Sequence, residues 1–506
     1  MKKLVYFFAM LFLVSCSKDD HKIKITFLQV NDVYEIAALE GGKVGGMDRV
    51  ETLHKQLLKE NKNTLLFIAG DFLNPSLLGT LKYKGEKIRG KQMIEVMNAM
   101  NFDLAAFGNH EFDLKYKDLQ KRLNESNFKW NATNAMHKLN DGKRVPFFIQ
   151  KDSVVSNIPR TTIFNLKDDD GTTIKIGFVS PCINSNPKDY VDYGDFYEDT
   201  KNAFNSIKTK TDIVIGLTHL QQNQDEMIAK MLPEIPLIMG GHEHTNRLIP
   251  VGNCNIAKAD ANARTVYVHR LTYDTKTKKL DITSELIPIN DKIKGDEKVA
   301  GIIKKWTVLL DEKIKEILPN PDEIIFTAKT PLDGRDTPIR SIQTNLGSII
   351  AEAMAFGFDN KVDCALVNGG SIRIDDQLEG NITGVDIFRV LPYGGKVLKV
   401  KIKGELLQKT LQYGKLHAGK GSYLQRFNAD YDKDKKQWLI QGKPINKEKV
   451  YTVAFSDYLL KGLDIPFLKP TNKGVISVYK PKETELNFDI RKAVITYMKN
   501  KTTIDT

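Results

Sequence analysis

An α/β architecture in two parts is what this 506-residue chain predicts, and three observations carry that expectation. Short apolar runs recur at residues 23–30, 65–69, 104–107, 176–179, 213–217 and 236–239. Each has the length and composition of a buried strand, and polar loops with helical periodicity lie between them, as where Met93-Ile94 is followed by Val96-Met97. A single stripe then follows, through Val299, Ile302, Ile303, Trp306, Leu310, Ile314 and Ile317, and Pro319 ends it. From residue 323 a second α/β region begins, with its own helix at 345–354, its own buried run at 364–367 and its own glycine turn. The reading is a first domain over 23–290, a connecting helix over 296–320 and a second domain over 323–506. A surface helix of either domain is the plainer alternative for 296–320.

Residues 1–15 are set apart from this plan. Lys2 and Lys3 precede an apolar stretch, 5–14, that is too short to span a bilayer and has the form of a signal peptide. The stretch ends in Leu13-Val14-Ser15-Cys16, and a small residue followed by Cys resembles a bacterial lipobox. Cys16 is therefore expected to be the lipidated first residue of an exported chain, with 16–22 as a tether to the cell envelope. The acidic Ser17-Lys18-Asp19-Asp20 resembles a signal for the outer membrane's outer face, and equally a plain solvated tether.

Composition narrows the partners. With 41% hydrophobic and 27% charged residues, the chain is globular rather than disordered. The formal charge of +12, or +10 once the two leader lysines are gone, favours anionic ligands in general. No dense Lys/Arg run with interleaved aromatics marks a nucleic-acid polymer as the partner. Cys182, Cys254 and Cys364 have no zinc-type spacing and are read as core.

Five apolar runs end in residue types that bind metals or phosphate. They lead into Asn31-Asp32, Gly70-Asp71, Gly108-Asn109-His110-Glu111, Thr218-His219 and Gly240-Gly241-His242-Glu243-His244. In an α/β sheet, sites form outside the carboxyl ends of strands. A lone Asp there is usually a cap, and a lone His usually a satisfied core residue. The ordered set D…GD…GNHE…H…GHxH is far more specific. Asp offers a bridging oxygen, His a neutral nitrogen and Asn a carbonyl. Two cations about 4 Å apart in such a set can clamp a phosphoryl group and lower the pKa of a water.

This ordered set resembles the calcineurin-like metallophosphoesterases. GNHEFD at 108–113, with a second domain behind it, narrows the resemblance to the 5′-nucleotidase and UDP-sugar hydrolase family. The resemblance implies a four-layer β-sandwich flanked by helices, followed by a C-terminal α/β 5′-nucleotidase domain. It implies two divalent ions, Zn, Mn, Co or Mg. Asp71 would bridge them, Asp32 and His244 would hold one, and Asn109, His219 and His242 the other. His110 would stabilise charge or protonate the leaving group, and Asp113 would orient it.

One position departs from the family pattern. Tyr34 stands where a His usually follows the first Asp, and a phenol with a pKa near 10 ligates less readily than imidazole. A ligand, a hydrogen-bond donor and a weakened first-metal site are the open roles for Tyr34, with weak or altered ligation favoured.

In the second domain, Asn368-Gly369-Gly370-Ser371-Ile372-Arg373 resembles the family's nucleotide-binding NGGGIR motif, and 340–347 resembles another family segment. Arg340, Asn345, Asn368, Gly370 and Arg373 are the substrate-binding candidates, Arg373 as a fork for phosphate or carboxylate. The family stacks a nucleobase between two rings. Phe427 and Phe467 are the candidates, with membership of the core as the alternative. The expected substrate is a nucleoside 5′-monophosphate, with a nucleotide sugar, a 2′,3′-cyclic nucleotide or another small phosphate ester as variants. A surface nucleotide-binding protein without turnover is the competing class. Oligomeric state is left open.

Overall fold

The computed structural model describes residues 21–185 and 188–501; Cys16 and the leader lie outside the described residues. Twelve strands of the first domain form two six-stranded sheets. One runs, in spatial order, Leu280–Pro288, Thr265–Asp274, Lys22–Val30, Thr64–Ala69, Leu104–Ala106 and Lys129–Asn131. The other runs Thr161–Lys167, Thr173–Val179, Ile213–Thr218, Leu237–Gly240, Cys254–Lys258 and Arg247–Val251.

Strand alternation explains how they stack. Ile23, Ile25 and Phe27 join Phe67, Phe178, Ile215 and Leu217 between the sheets. Leu28 and Val30 point the other way, against Val50, Leu57 and Met97 of the helices Met47–Glu60 and Lys91–Ala99. On the far side, Val214 and Ile238 meet Phe204, Ile207 and Ile228 of Phe196–Ile207 and Gln222–Met231. This is the four-layer sandwich flanked by helices. Strands covered on both faces read as continuous apolar runs, which is why the sequence signal was strong. Cys182, Cys254 and Cys364 are buried thiols.

The direction of the strands places the site. Lys22–Val30, Thr64–Ala69, Leu104–Ala106 and Lys129–Asn131 are parallel, with Val30 opposite Ile68 and Ala69 opposite Ala106. Ile213–Thr218 and Leu237–Gly240 are parallel in the second sheet, with Thr218 opposite Gly240. All five motif loops therefore leave one edge of the sandwich.

The apolar stripe forms the helix Glu297–Lys315, capped by the Asp296 side chain accepting from the Val299 N–H. Its Trp306 packs edge-on to Tyr83, ring centroids 5.0 Å apart, and donates Nε1–H to Glu95 at 3.0 Å. The helix is thus docked on the first domain while leading to the second. There, a five-stranded sheet runs Leu424–Phe427, Cys364–Asn368, Val450–Ser456, Val397–Lys403 and Val475–Tyr479. Helices Asn345–Phe356 and Ile490–Asn500 cover one face, and Gly404–Leu416 the other. Among the described residues no helix is long and apolar enough to cross a membrane.

Candidate functional site

Each strand-end loop turns sharply to face the common edge. Asp32, Asp71 and His242 lie at φ of 53°, 55° and 83°, left-handed conformations that few non-glycine residues adopt and that mark functional loops. Gly108 and Gly241 permit the close approach. A Cβ on Gly108 would strike Asp71, and one on Gly241 would strike the Ala69 carbonyl. Glu111 then ties two loops together. Its Oε2 accepts from the Asp71 and Gly108 N–H groups at 2.8 and 2.7 Å, and its Oε1 from Phe72 and Leu73 at 2.8 and 3.0 Å.

One donor from each of Asp71, His219 and His242 falls within 4.8 Å of the others. His219 Nδ1 is 2.8 Å from the Ala69 carbonyl, so that Nδ1 carries the proton and Nε2 faces the cluster. That Nε2, 3.0 Å from Asp71 Oδ2, has no hydrogen-bond partner, and neither has the buried Asn109 Oδ1. Orphaned buried donors beside carboxylates fit a divalent ion. Asp32 reaches the same cluster, its Oδ1 4.0 Å from His219 Nε2. Its Oδ1 is 3.6 Å from His244 Nε2, and its Oδ2 accepts from the His242 N–H and from Asn31 Nδ2 at 3.0 and 2.8 Å.

The electrostatics agree with a cation site. Burial pulls down the imidazoles, yet Asp71 pushes His219 up to about 9, and Asp375 and Asp32 push His244 up to about 10. Protons there balance negative charge that bound cations would balance instead. His242 is pushed down to about 4 by burial and by His219, which leaves it the neutral imidazole a ligand must be.

His110 and Asp113 share a single 3-10 turn, His110–Asp113. His110 Nδ1 is 2.7 Å from Asp113 Oδ2, and its backbone N–H donates to Asp71 Oδ1 at 2.7 Å. Burial disfavours the imidazolium, but Asp71 and Asp113 hold it well above the usual range. The second domain reaches this turn directly. Arg373 Nη2 donates to Asp113 Oδ2 at 2.6 Å, and Asp375 Oδ2 lies 3.3 Å from His110 Nε2. A cleft of about 680 Å³ opens beside them, lined by Asn109, His110, His242, His244, Arg335 and Asp375 among others.

The pattern of the calcineurin-like phosphoesterases matches residues 25–246, and that of the 5′-nucleotidase C-terminal domain matches 324–469. A 5′-nucleotidase of Rattus norvegicus is 27% identical over 477 residues, 83% of this chain and 78% of the relative. The chain belongs to the 5′-nucleotidase family of calcineurin-like metallophosphoesterases. It is a metal-dependent phosphoester hydrolase. Solved structures of the same fold include a 5′-nucleotidase precursor from Thermus thermophilus, with a TM-score of 0.68 at 20% identity over 96% of this chain and 97% of that one. The sulfate thiohydrolase SoxB from the same organism superposes at 0.62 with 14% identity, over 94% of each chain.

Within the family frame, the first domain brings together Asp32, Asp71, Asn109, His110, Asp113, His219, His242 and His244. Tyr34 joins them: its Oη lies 3.2 Å from His244 Nε2 and 3.5 Å from Asp71 Oδ2. Burial, with Asp71 and Asp375 nearby, raises that phenol well above its ordinary value.

The second-domain candidates sit in the following surroundings. Asn345 spends its amide on the Pro331 carbonyl and the Asp333 and Leu346 N–H groups, closing a loop at a helix start. Gly370 is small because it packs on Gly421, to whose carbonyl it donates its N–H at 3.0 Å. Asn368 bonds Ser371 at 2.7 Å and Asp464 at 2.8 Å. Arg340 is buried and pairs with Asp336 at 2.7 Å. Phe427 is opposite Ala365 and packs on the face bearing Ala365 and Val367, whereas Phe467 packs on the opposite face with Tyr413 and Lys409. Both rings are half-buried, Phe427 against one face of the sheet and Phe467 against the other.

Three functional roles escaped the sequence. Glu111 stood inside a motif, but its clamp on four N–H groups depends on how the chain returns. Asp375 follows Arg373 by two residues and carried no motif of its own. Lys258, fully buried, donates to the Leu220 and Gly241 carbonyls at 2.6 and 2.9 Å and pairs with Asp225 at 2.8 Å, fixing the His242 loop from behind.

Proposed function

We propose that the chain hydrolyses nucleoside 5′-monophosphates to nucleoside and phosphate at a centre of two divalent ions, Zn, Mn, Co or Mg. The observation that carries this reading is the convergence of the His110–Asp113 pair and the Asp71–His219–His242 cluster on one cleft. Asp71, Asn109, His219 and His242 would hold one ion, and Asp32, Asp71 and His244 the other. When bound, the ions supply Lewis acidity toward the phosphoryl oxygens. The chain's own residues do the rest. His110 carries its proton on the cleft side at Nε2 and gives it to the leaving oxygen, and Asp113 at Nδ1 keeps the ring oriented and the imidazolium stable.

A second reading is supported by the two phenylalanines. With Phe427 and Phe467 on opposite sheet faces, the substrate is a phosphate ester whose leaving group needs no base stacking. Phosphate release from AMP, UDP-glucose, a 2′,3′-cyclic nucleotide and an aryl phosphate separates the two. Each is run with Mn²⁺, Zn²⁺, Co²⁺ or chelator. Metal-dependent turnover of AMP supports the nucleotidase reading. Turnover of the aryl phosphate alone removes it and keeps the metal centre. No turnover with any metal favours a binding protein.

Export and anchoring through Cys16 complete the proposal, on the strength of the short apolar leader and the Leu13-Val14-Ser15-Cys16 sequence. Incorporation of labelled fatty acid into the expressed chain, lost in Cys16→Ser, tests it. Labelling that survives the substitution rejects it.

A further inference from the structure

Asp375 is a carboxylate of the second domain that reaches the edge of the cluster from across the domain seam. Its Oδ2 is 3.3 Å from Tyr34 Oη, 3.3 Å from His110 Nε2 and 3.5 Å from His244 Nε2. Its Oδ1 accepts the Asp336 N–H at 2.7 Å, which fixes the direction of the carboxylate. Its backbone is left-handed at φ 46°, like Asp32, Asp71 and His242, and the side chain is buried. The segment is pinned on both sides. The Arg373 N–H donates to the Val390 carbonyl at 2.9 Å and the Gly334 N–H to the Asp376 carbonyl at 3.1 Å.

The first-domain set for one ion is short of a donor. Asp32, the shared Asp71 and His244 are present, and Tyr34 contributes only a phenol. Donors about 2.1 Å from one ion lie about 3.0–3.6 Å from each other, whether the geometry is octahedral or tetrahedral. Asp32 Oδ1 to His244 Nε2, at 3.6 Å, and Asp375 Oδ2 to His244 Nε2, at 3.5 Å, are such edges. A hard anionic oxygen at that place compensates for a phenol where imidazole would serve.

We propose that Asp375 is a ligand of this ion supplied by the second domain, an anionic oxygen beside Tyr34, whose phenol is a poorer donor than an imidazole. The proposal rests on reading the cluster as a metal centre. Its consequence is that this ion is fully coordinated only when the two domains are together, whereas the ion at Asn109, His219 and His242 depends on the first domain alone.

Calorimetric titration of the metal-free full chain with Mn²⁺, and separately with Zn²⁺, tests this without any substrate. The unchanged chain should bind two ions. Asp375→Asn, which keeps the shape of the side chain, should weaken one ion at least about tenfold, the loss that even supporting residues of a metal site cause. The other ion should be unchanged. Asp375→Glu should retain part of the lost affinity, and Tyr34→His added to Asp375→Asn should restore it, which a folding defect would not allow. The visible absorption of the Co²⁺-loaded chain should change in Asp375→Asn and return in the double variant. Unchanged metal affinities in Asp375→Asn overturn the proposal. So does tighter binding of inorganic phosphate with metal affinity unchanged, which would make Asp375 an occupant of the phosphate position. If the unchanged chain binds neither Mn²⁺ nor Zn²⁺, the reading as a metal centre falls first, and the proposal with it.

Discussion

The two domains furnish the cleft by different means. In the first, side chains emerge from parallel strand ends whose register is fixed, and they keep donor atoms uncommitted, as at Asn109 Oδ1 and His219 Nε2. In the second, Asn345, Asn368, Gly370 and Arg340 are engaged within their own loops, and Arg373 and Asp375 cross to the first-domain cluster. Both domains carry polar motifs of the same residue types.

The sharpest way to break this comparison is at the proton-carrying turn. His110→Ala should lower kcat for phosphate release by about 10²–10⁴, the range for loss of a general acid, and Asn109→Ala should abolish metal-dependent turnover. Comparable losses from Asn345→Ala, with metal binding and folding intact, would show that the second domain's loop residues act on substrate after all. Next in size is Glu111→Ala. It leaves four buried N–H groups without their acceptor, and each costs about 1–3 kcal/mol. Denaturant unfolding should show a loss of at least about 3 kcal/mol.

A smaller effect tests the layer beneath the site. His269 is buried between Ser284 Oγ at 2.7 Å and Gln29 Oε1 at 2.9 Å, and burial pushes it down to about 3. The unfolded chain protonates this histidine near pH 6.5 and the folded chain does not. Its contribution to stability is therefore complete above about pH 6.5 and is lost as pH falls toward 3, by about 1.4 kcal/mol per pH unit. Unfolding free energies for His269→Gln between pH 7 and pH 4 should show a shallower slope. The smallest expected change is at the rings. Removing a stacking ring costs about 1–3 kcal/mol of base affinity. Phe427→Ala and Phe467→Ala should leave the KM ratio of AMP to aryl phosphate unchanged. A rise in that ratio of about fivefold or more would restore the sandwich.

Much of the first domain was legible because strand periodicity and strand-end chemistry are both local signals. Asp32, Asp71, Asn109, His219, His242 and His244 each follow an apolar run, and parallel pairing carries them to one edge. The stripe from Val299 to Ile314 was legible for the same reason, since a helix repeats within a few residues. The docking of Trp306 against Tyr83 and Glu95 was not, because it joins segments about 200 residues apart. The face that Phe427 takes depends on strand parity, which a motif does not reveal, and Phe467 stands in a turn whose packing on Tyr413 and Lys409 joins segments more distant in sequence. Asp375 was invisible because nothing near it in sequence resembles a ligand set. Its role comes from where the second domain is set against the first.

The left-handed backbone at Asp32, Asp71 and His242 also limits how this centre changes over evolutionary time. At each of these positions the chain turns through a conformation that a β-branched residue adopts only with strain. A side-chain exchange on the spot asks least of these loops, because their backbone is already set.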